Sequence, residues 1–143
     1  MTYKKYSLAI LVGLLLQGCV AKNLSDSEVL GKAMSQCPSL EVSIIRIPSR
    51  GALADTMMAQ SVKTTHNDGG FLREFVQLIS SGSKNIAVEC PSQQKLEAIV
   101  ANALSEIKDG KLKGILLCLI GISESEELVS QAVRTGATLT MHK

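Results

Sequence analysis

The sequence predicts an α/β fold: a single small domain with a four-stranded mixed sheet and helices on both faces. Segments with helical spacing of apolar residues alternate along the chain with short runs rich in β-branched residues. One of those runs, residues 115–120 (ILLCLI), is unbroken apolar sequence, which is typical of a strand buried on both faces. Such a strand among alternating helices favours a sheet that is covered on both sides.

The first half of the domain supplies three helices and two strands. Ser25 and Glu28 form a capping box, which predicts the start of the first helix. Residues 41–47 (EVSIIRI) are rich in β-branched residues and predict a strand. Two helices separated by a polar loop follow, and then a second strand, at residues 52–63, 71–79 and 85–90. The side chains of the first of these helices that we expect to face inward are Leu53, Met57 and Met58.

The second half repeats the alternation more clearly. An amphipathic helix over residues 92–108 leads into the buried strand. Ser123 and Glu126 form another capping box, which predicts the start of the last helix. Gly136 predicts its end, and residues 137–141 alternate as a final strand.

The connections between the strands predict their directions. Single helices join the last three strands, so right-handed crossovers make these three mutually parallel. Two helices join the first strand to the second, and an antiparallel helix pair would return the chain to the sheet edge that it left. We therefore expect the second strand to run antiparallel to the first, which makes the sheet mixed.

The N-terminus has the pattern of a secretion signal. Lys4 and Lys5 precede an apolar run at residues 6–16, which is too short to span a bilayer. The next residues, Leu16-Gln17-Gly18-Cys19, resemble the lipobox of bacterial lipoprotein precursors. The resemblance implies cleavage before Cys19, a diacylglycerol on its thiol and a fatty acyl chain, such as palmitate, on its amine.

This resemblance divides the chain into a signal peptide (1–18), a lipidated cysteine with a short tether (19–24) and one α/β domain (25–143). An ordinary signal peptide cleaved elsewhere and a short apolar core helix are the alternatives. Two or more acyl chains hold a protein stably on a membrane, so we expect permanent attachment to the cell envelope. The two residues after Cys19, Val20 and Ala21, are not Asp, and in Gram-negative lipoproteins, which the leader resembles, this implies sorting to the outer membrane, facing the periplasm. A Gram-positive cell would display the protein on its outer surface, and the sequence leaves both contexts open.

Composition argues against several classes of partner. Removing the first 18 of 143 residues leaves 125, and the loss of Lys4 and Lys5 leaves 13 basic residues against 13 acidic ones. A domain without net positive charge lacks the electrostatic footprint of nucleic-acid binding. The two tyrosines leave with the signal peptide and there is no Trp, so stacking sites for bases or sugars are not expected.

The remaining cysteines predict one disulfide. The expected topology places Cys37, before the first strand, at the same sheet edge as Cys90, after the second. An exported protein folds in an oxidising compartment, so we expect a bridge between Cys37 and Cys90. Cys118 lies in the apolar run and is interpreted as a small buried hydrophobic residue. The alternative is that all three thiols are free.

One set of loops has the position of a ligand site. Ser92, Gly121 and Ser123 lie where predicted strands end and helices begin, which is where open α/β sheets bind ligands. The N–H groups of such helix N-termini can hold an anion. The loop at residues 48–51 is similar, but the predicted topology places it at the opposite edge. No metal site and no cofactor motif are expected.

The sequence contains weak matches to enzyme motifs. Ser92-Gln93-Gln94-Lys95 resembles the S-x-x-K string of penicillin-recognising enzymes, and residues 134–136 resemble their K-T-G string. The chain is too short for that fold, and Ser92 is equally explained as a helix N-cap. His66 and His142 lie in no context that links them to a cysteine nucleophile.

These observations favour a non-catalytic, lipid-anchored module that docks onto another envelope protein, as in secretion, conjugation or pilus assemblies. A periplasmic module that binds a small anionic ligand at the strand-to-helix loops is the alternative. A small hydrolase is the third hypothesis.

Overall fold

The computed structural model describes residues 22–39 and 41–143, which form an α/β domain. The predicted signal peptide and Cys19, with the first residues of the predicted tether, lie outside the described residues. The elements, in chain order, are α1 (Asp26–Gln36), β1 (Ser43–Arg46), α2 (Ala52–Thr65), α3 (Phe71–Ser80), β2 (Asn85–Glu89), α4 (Gln93–Glu106), β3 (Leu116–Ile120), α5 (Glu126–Thr135) and β4 (Thr138–His142). None of the helices in this part of the chain is both long and apolar enough to span a membrane.

The four strands form one sheet in the order β1-β2-β3-β4, and every neighbouring pair is parallel. The predicted antiparallel first pair, and with it the mixed sheet, is therefore wrong. The physical reason is that α2 and α3 do not act as a helical hairpin. α2 packs along α4, whereas α3 contacts both α4 and β1, so the two helices together make a single crossover. β2 then starts from the same end of the sheet as β1.

The helices cover the two faces of the sheet unequally. α2 and α5 flank α4 in a layer on one face, and α1 packs against β3 on the other. This follows from the strand order, because a right-handed crossover between successive neighbours returns each helix to the same face. The expectation of helices on both faces is correct, but only α1, which has no preceding strand, covers the second face.

Two cores result from this arrangement. The larger core lies between the sheet and the helical layer, where Leu117, Leu119 and Leu104 are fully buried. The smaller core lies under α1 and consists of small or β-branched side chains, namely Ala33, Cys37, Ala87, Cys118 and Ile120. Alanine at positions 33 and 87 leaves room for α1 to lie close to the strands.

The disulfide joins Cys37 to Cys118, with the two Cα atoms 5.8 Å apart, and Cys90 is reduced and buried. The predicted pairing of Cys37 with Cys90 is wrong. The alternation of side chains along β2 explains why Cys90 is not the partner of Cys37. Ala87 points toward α1, whereas Val88 and Cys90 belong to the core on the helical-layer side. Cys37 caps the C-terminus of α1, so it can reach only a cysteine on the α1 face.

The helices leave apolar side chains exposed in pairs four residues apart. Leu53 and Met57 on α2 were expected to face inward, but they are 77% and 64% exposed. α2 instead buries Asp55, Ala59 and Val62. Similar exposed pairs lie on two further helices, at Leu30 and Met34 of α1 and at Val129 and Val133 of α5. Residues four apart lie on the same face of a helix, so each pair forms a small apolar surface.

Candidate functional site

All four strands end at the same edge of the sheet, because all are parallel. The loop at residues 48–51 therefore lies at this carboxyl edge beside the loops after β2 and β3, and not at the opposite edge as predicted. The N-terminal segment also reaches this loop. The Asn23 amide donates to the Ser49 carbonyl oxygen (3.0 Å) and accepts from the Ser49 N–H (2.7 Å).

The three predicted ligand-binding residues do not converge. Gly121 has φ +117°, and a Cβ there would lie 2.0 Å from the carbonyl oxygen of Cys90, so glycine is required by this close approach. The N–H of Gly121 donates to the carbonyl oxygen of His142 (2.7 Å). Ser123 is exposed, and Ser125, rather than Ser123, caps α5 by accepting from the Leu128 N–H.

A crevice of about 290 Å³ does open at this edge, on the α1 side. Pro91 and Gly121 line it, but Ser92 and Ser123 do not. Three lysines surround it, one from the N-terminal segment, one from α1 and one from the C-terminus: Lys22, Lys32 and Lys143. The crevice is therefore a cationic opening at the ends of β2 and β3.

Two buried titratable groups border this crevice. Burial raises the pKa of Glu89 above its ordinary value, although the Arg46 guanidinium 3.5 Å away and the charge of Lys32 oppose the shift. Burial also raises the pKa of the Cys90 thiol to about 11. Cys90 is therefore a protonated thiol near neutral pH, and the thiolate that nucleophilic catalysis requires is not formed.

A buried polar cluster lies beneath the β1–α2 loop. The Lys95 ammonium donates to Asp55 Oδ1 (3.1 Å) and to the Pro48 carbonyl oxygen (2.6 Å). Asp55 also accepts from the Ser49 hydroxyl (2.5 Å) and from the Arg50 N–H (3.1 Å). Burial raises the pKa of Asp55, but these hydrogen bonds outweigh it and hold the pKa below its usual value.

The buried polar cluster gives Lys95, the lysine of the S-x-x-K string, a structural role. Lys95 is directed at Asp55 and Pro48, so it is engaged in holding the loop rather than in activating Ser92. Arg134, in the other string, donates to the carbonyl oxygens of Leu104 and Ile107 and so caps the C-terminus of α4. Both matches are accounted for by structural roles.

Among the described residues, neither histidine side chain has a hydrogen bond to a cysteine. His66 ends α2 in the left-handed conformation, and its Nδ1 lies 2.7 Å from Asn102 Oδ1. His142 ends β4. Within residues 22–39 and 41–143, no group of three or more His, Cys, Asp or Glu side chains is placed to hold a metal ion.

A groove of about 690 Å³ follows the free edge of β1. One wall is the flank of α2 that carries Ala54, Met57, Met58 and Ser61, and the other includes Ile45 and Ile47. Phe71 also lines the groove, and Arg46, Arg50 and Glu74 contribute charged side chains to its lining. We call this surface the β1 groove.

Sequence reasoning missed the β1 groove. It depends on two facts that the pattern does not contain: that β1 is an edge strand and that α2 turns Met57 outward. Asp55 gave no clear signal, because a carboxylate in the first turn of a helix is favourable whether or not it is buried.

The chain matches no protein-family model, no curated protein and no solved structure. The geometry alone therefore supports the inference of function.

Proposed function

We propose that this chain is a lipid-anchored protein of the cell envelope that has no catalytic role and binds an apolar segment of another envelope protein in the β1 groove. The observation that carries this proposal is the groove itself, an apolar cleft that runs beside a strand with an open edge. Such a cleft accepts an extended segment, whose backbone can pair with the strand while its side chains enter the cleft.

The composition of the groove supports a protein segment as its ligand. Exposed methionines are common on surfaces that bind varied apolar side chains, because the thioether chain is flexible and polarisable. Met57 is 64% exposed at the rim, and Leu53, 77% exposed, extends the apolar surface one turn further along α2. Arg46 and Arg50 provide charges that can fix the direction of the bound segment.

The side chains around the groove also argue against a catalytic role. Asp55 and Lys95 are the buried titratable groups that border it, and they pair with each other beneath the loop. The serine that Asp55 contacts, Ser49, donates a hydrogen bond to the carboxylate, and both side chains also accept from backbone N–H groups of the loop, which is the pattern of a loop-holding cluster.

The proposed anchor fits the position of the N-terminal segment. Asn23 is hydrogen-bonded to Ser49 at the carboxyl edge, only four residues after Cys19. A lipid on Cys19 would therefore hold the carboxyl edge of the sheet near the bilayer. The groove would then extend from that edge outward into the envelope.

The anchor can be tested by changing Cys19 to Ser. We expect the variant to accumulate as an uncleaved or mislocalised precursor and to lose label from a fatty-acid analogue, because the lipid is attached to the thiol and the freed amine of this residue. Cys90→Ser is a matched control that should retain the label. Label that persists on the Cys19→Ser protein would contradict the proposal.

The groove can be tested by crosslinking in intact cells. A photo-crosslinking residue at Met57 is expected to capture one partner, and the same residue at Met34 on α1, on the opposite face, is not. The captured protein is then purified, and its binding to the full chain is measured directly. Met57→Lys should lose most of that binding, because it places a charge in an apolar cleft.

Met34→Lys is the matched control, since Met34 is 68% exposed and the change is chemically the same. Equal loss of binding in both variants, or equal crosslinking from both positions, would show that the β1 groove is not the binding surface.

The lysine-lined crevice favours a second candidate function, the binding of a phosphate group. Lys22, Lys32 and Lys143 converge beside the N-terminus of α4. Inorganic phosphate tests for a free anion, and vesicles containing phosphatidylglycerol test for a lipid headgroup. Lys32→Gln should weaken whichever binding occurs, and Lys63→Gln on α2 should not. Absence of binding in both assays would exclude this candidate.

A further inference from the structure

We propose that β4 pairs with β4 of a second copy of this chain, in an antiparallel arrangement about a two-fold axis at Thr140, with the two α5 helices packed together above it. β4 and β1 are the two outer strands of the sheet, so this surface is on the far side from the β1 groove. The inference does not depend on the proposed function. Two observations carry the inference.

The first is the direction of the backbone groups of β4. The Thr138 N–H donates to the Ile115 carbonyl oxygen, and the His142 carbonyl oxygen accepts from Gly121. Even-numbered residues of β4 therefore direct their backbone toward β3, and Leu139 and Met141 direct theirs toward the open edge. In the sheet of the described residues, β4 pairs with β3 alone, so these outward groups have no strand partner.

A two-fold axis at Thr140 satisfies these groups. It places Leu139 opposite Met141 of the second copy and Met141 opposite its Leu139. Both are hydrogen-bonded pairs, so four N–H and carbonyl groups on each copy exchange hydrogen bonds. β4 itself (TLTMH) contains no Pro and no Lys, Arg, Asp or Glu, and Lys143 follows it directly. β1 contains Arg46, and Pro48 lies two residues beyond its end.

The same axis places Thr140 opposite its own copy and His142 opposite Thr138 of the other copy, in the closely spaced pairs of an antiparallel ladder.

The second observation is the exposed flank of α5. On the side that faces α4, Arg134 donates to carbonyl oxygens at the end of that helix and Glu127 lines a crevice with α4 residues. The side that faces the core carries Leu128, Ala132 and Thr135. Helical spacing places Val129 and Val133 on the opposite flank, above the open edge of β4. These two valines are 47% and 77% exposed.

The same two-fold axis brings the valine flanks together. If each α5 lies over the gap between β3 and β4, the two helices are about 10 Å apart, which is a normal packing distance. They run antiparallel, so the acidic start of each, at Glu126, approaches the loop that contains Lys111 and Lys113 in the other copy. That loop packs on the C-terminus of α5, where the Leu112 N–H donates to the Thr135 carbonyl oxygen (2.8 Å). The proposed arrangement thus brings opposite charges together at each end of the helix pair.

The test uses disulfide trapping of the full chain in membranes. Thr140→Cys places one cysteine opposite its own copy, so a covalent dimer is expected on a non-reducing gel. Thr138→Cys is the matched control, because the axis places the two copies of this position about 13 Å apart, too far for a bond. Adding Val133→Glu to Thr140→Cys should remove most of the dimer, and Met34→Glu should leave it unchanged.

Several outcomes would overturn the proposal. Absence of a dimer from Thr140→Cys would show that the edge does not pair in this way. Equal dimer from Thr140→Cys and Thr138→Cys would indicate random collision or a different register. A crosslinked product whose mass is not twice that of the chain would show that another protein occupies the edge.

Discussion

Loss of the Cys37–Cys118 disulfide is expected to lower the free energy of unfolding by about 4.5 kcal/mol in the chain-entropy model, with measured losses often smaller. The magnitude follows from the 81 residues that separate the two cysteines, because the bridge restricts a large loop in the unfolded chain. The measurement is denaturant unfolding of the oxidised chain and of the double variant Cys37→Ala, Cys118→Ala.

Cys90→Ala is the control for this experiment, since Cys90 is buried but takes no part in the bridge. It should cost much less than the double variant. Alkylation of the unfolded, unreduced protein provides an independent check and should modify Cys90 alone among the three cysteines of the domain. Modification of Cys118 with protection of Cys90 would restore the pairing of Cys37 with Cys90 and refute the structure at this point.

Replacement of Lys95 by Met is expected to cost about 3–5 kcal/mol, because it leaves the carboxylate of Asp55 buried without its cationic partner. The side chains of Lys95 and Asp55 are only 7% and 2% exposed. The change also removes the donor to the Pro48 carbonyl oxygen, so the β1–α2 loop loses its link to α4. Lys108→Met, at an exposed lysine after α4, is the matched control and should have little effect.

The double variant Asp55→Asn, Lys95→Met measures the interaction between the two side chains. It should lose less stability than the sum of the two single variants, since the uncompensated charge is gone. Equal or greater loss than the sum would mean that the two groups do not interact in the native protein.

The pair also predicts a pH dependence. Asp55 has a lower pKa in the folded state than in the unfolded chain, so its contribution to stability is present above the ordinary pKa, near 4, and is lost as the pH falls through the folded value. Wild-type stability should therefore decline in acid below about pH 4. The decline should be smaller in Asp55→Asn, and an identical acid profile would contradict this assignment.

The sequence was sufficient to predict the helices and strands, but it did not predict how they are arranged in the sheet and its layers. The nine helices and strands of the described residues lie close to their predicted places, because hydrophobic spacing and caps such as Ser25 and Glu28 are local signals. The direction of β2 is not a local property. It depends on how α2 and α3 pack, and no pattern within either helix distinguishes a hairpin from a shared crossover.

The same dependence on packing explains why the sequence did not predict the disulfide pairing or the concave surfaces. Cys118 was assigned to the core on its apolar context, and it is indeed buried, but burial next to α1 is also what allows it to bond Cys37. Pairing requires knowing which face of the sheet each cysteine occupies. Ser92 and Ser123 lie in the kind of loop that was predicted, yet the concave surfaces are formed by α2, β1 and three lysines that are distant in sequence.

The strands of this sheet lie in the order in which they are synthesised, and each pairs with the next one to be made. Successive steps of assembly therefore close loops of modest length, which favours rapid formation of the sheet and its helical layer. α1 is the exception, because it is made first and its partner Cys118 is 81 residues away from Cys37. The earliest helix of the domain must wait for the third strand before it can dock. We therefore expect α1 to be the last element to become protected from hydrogen exchange during folding and, once the bridge is cut, the first to open.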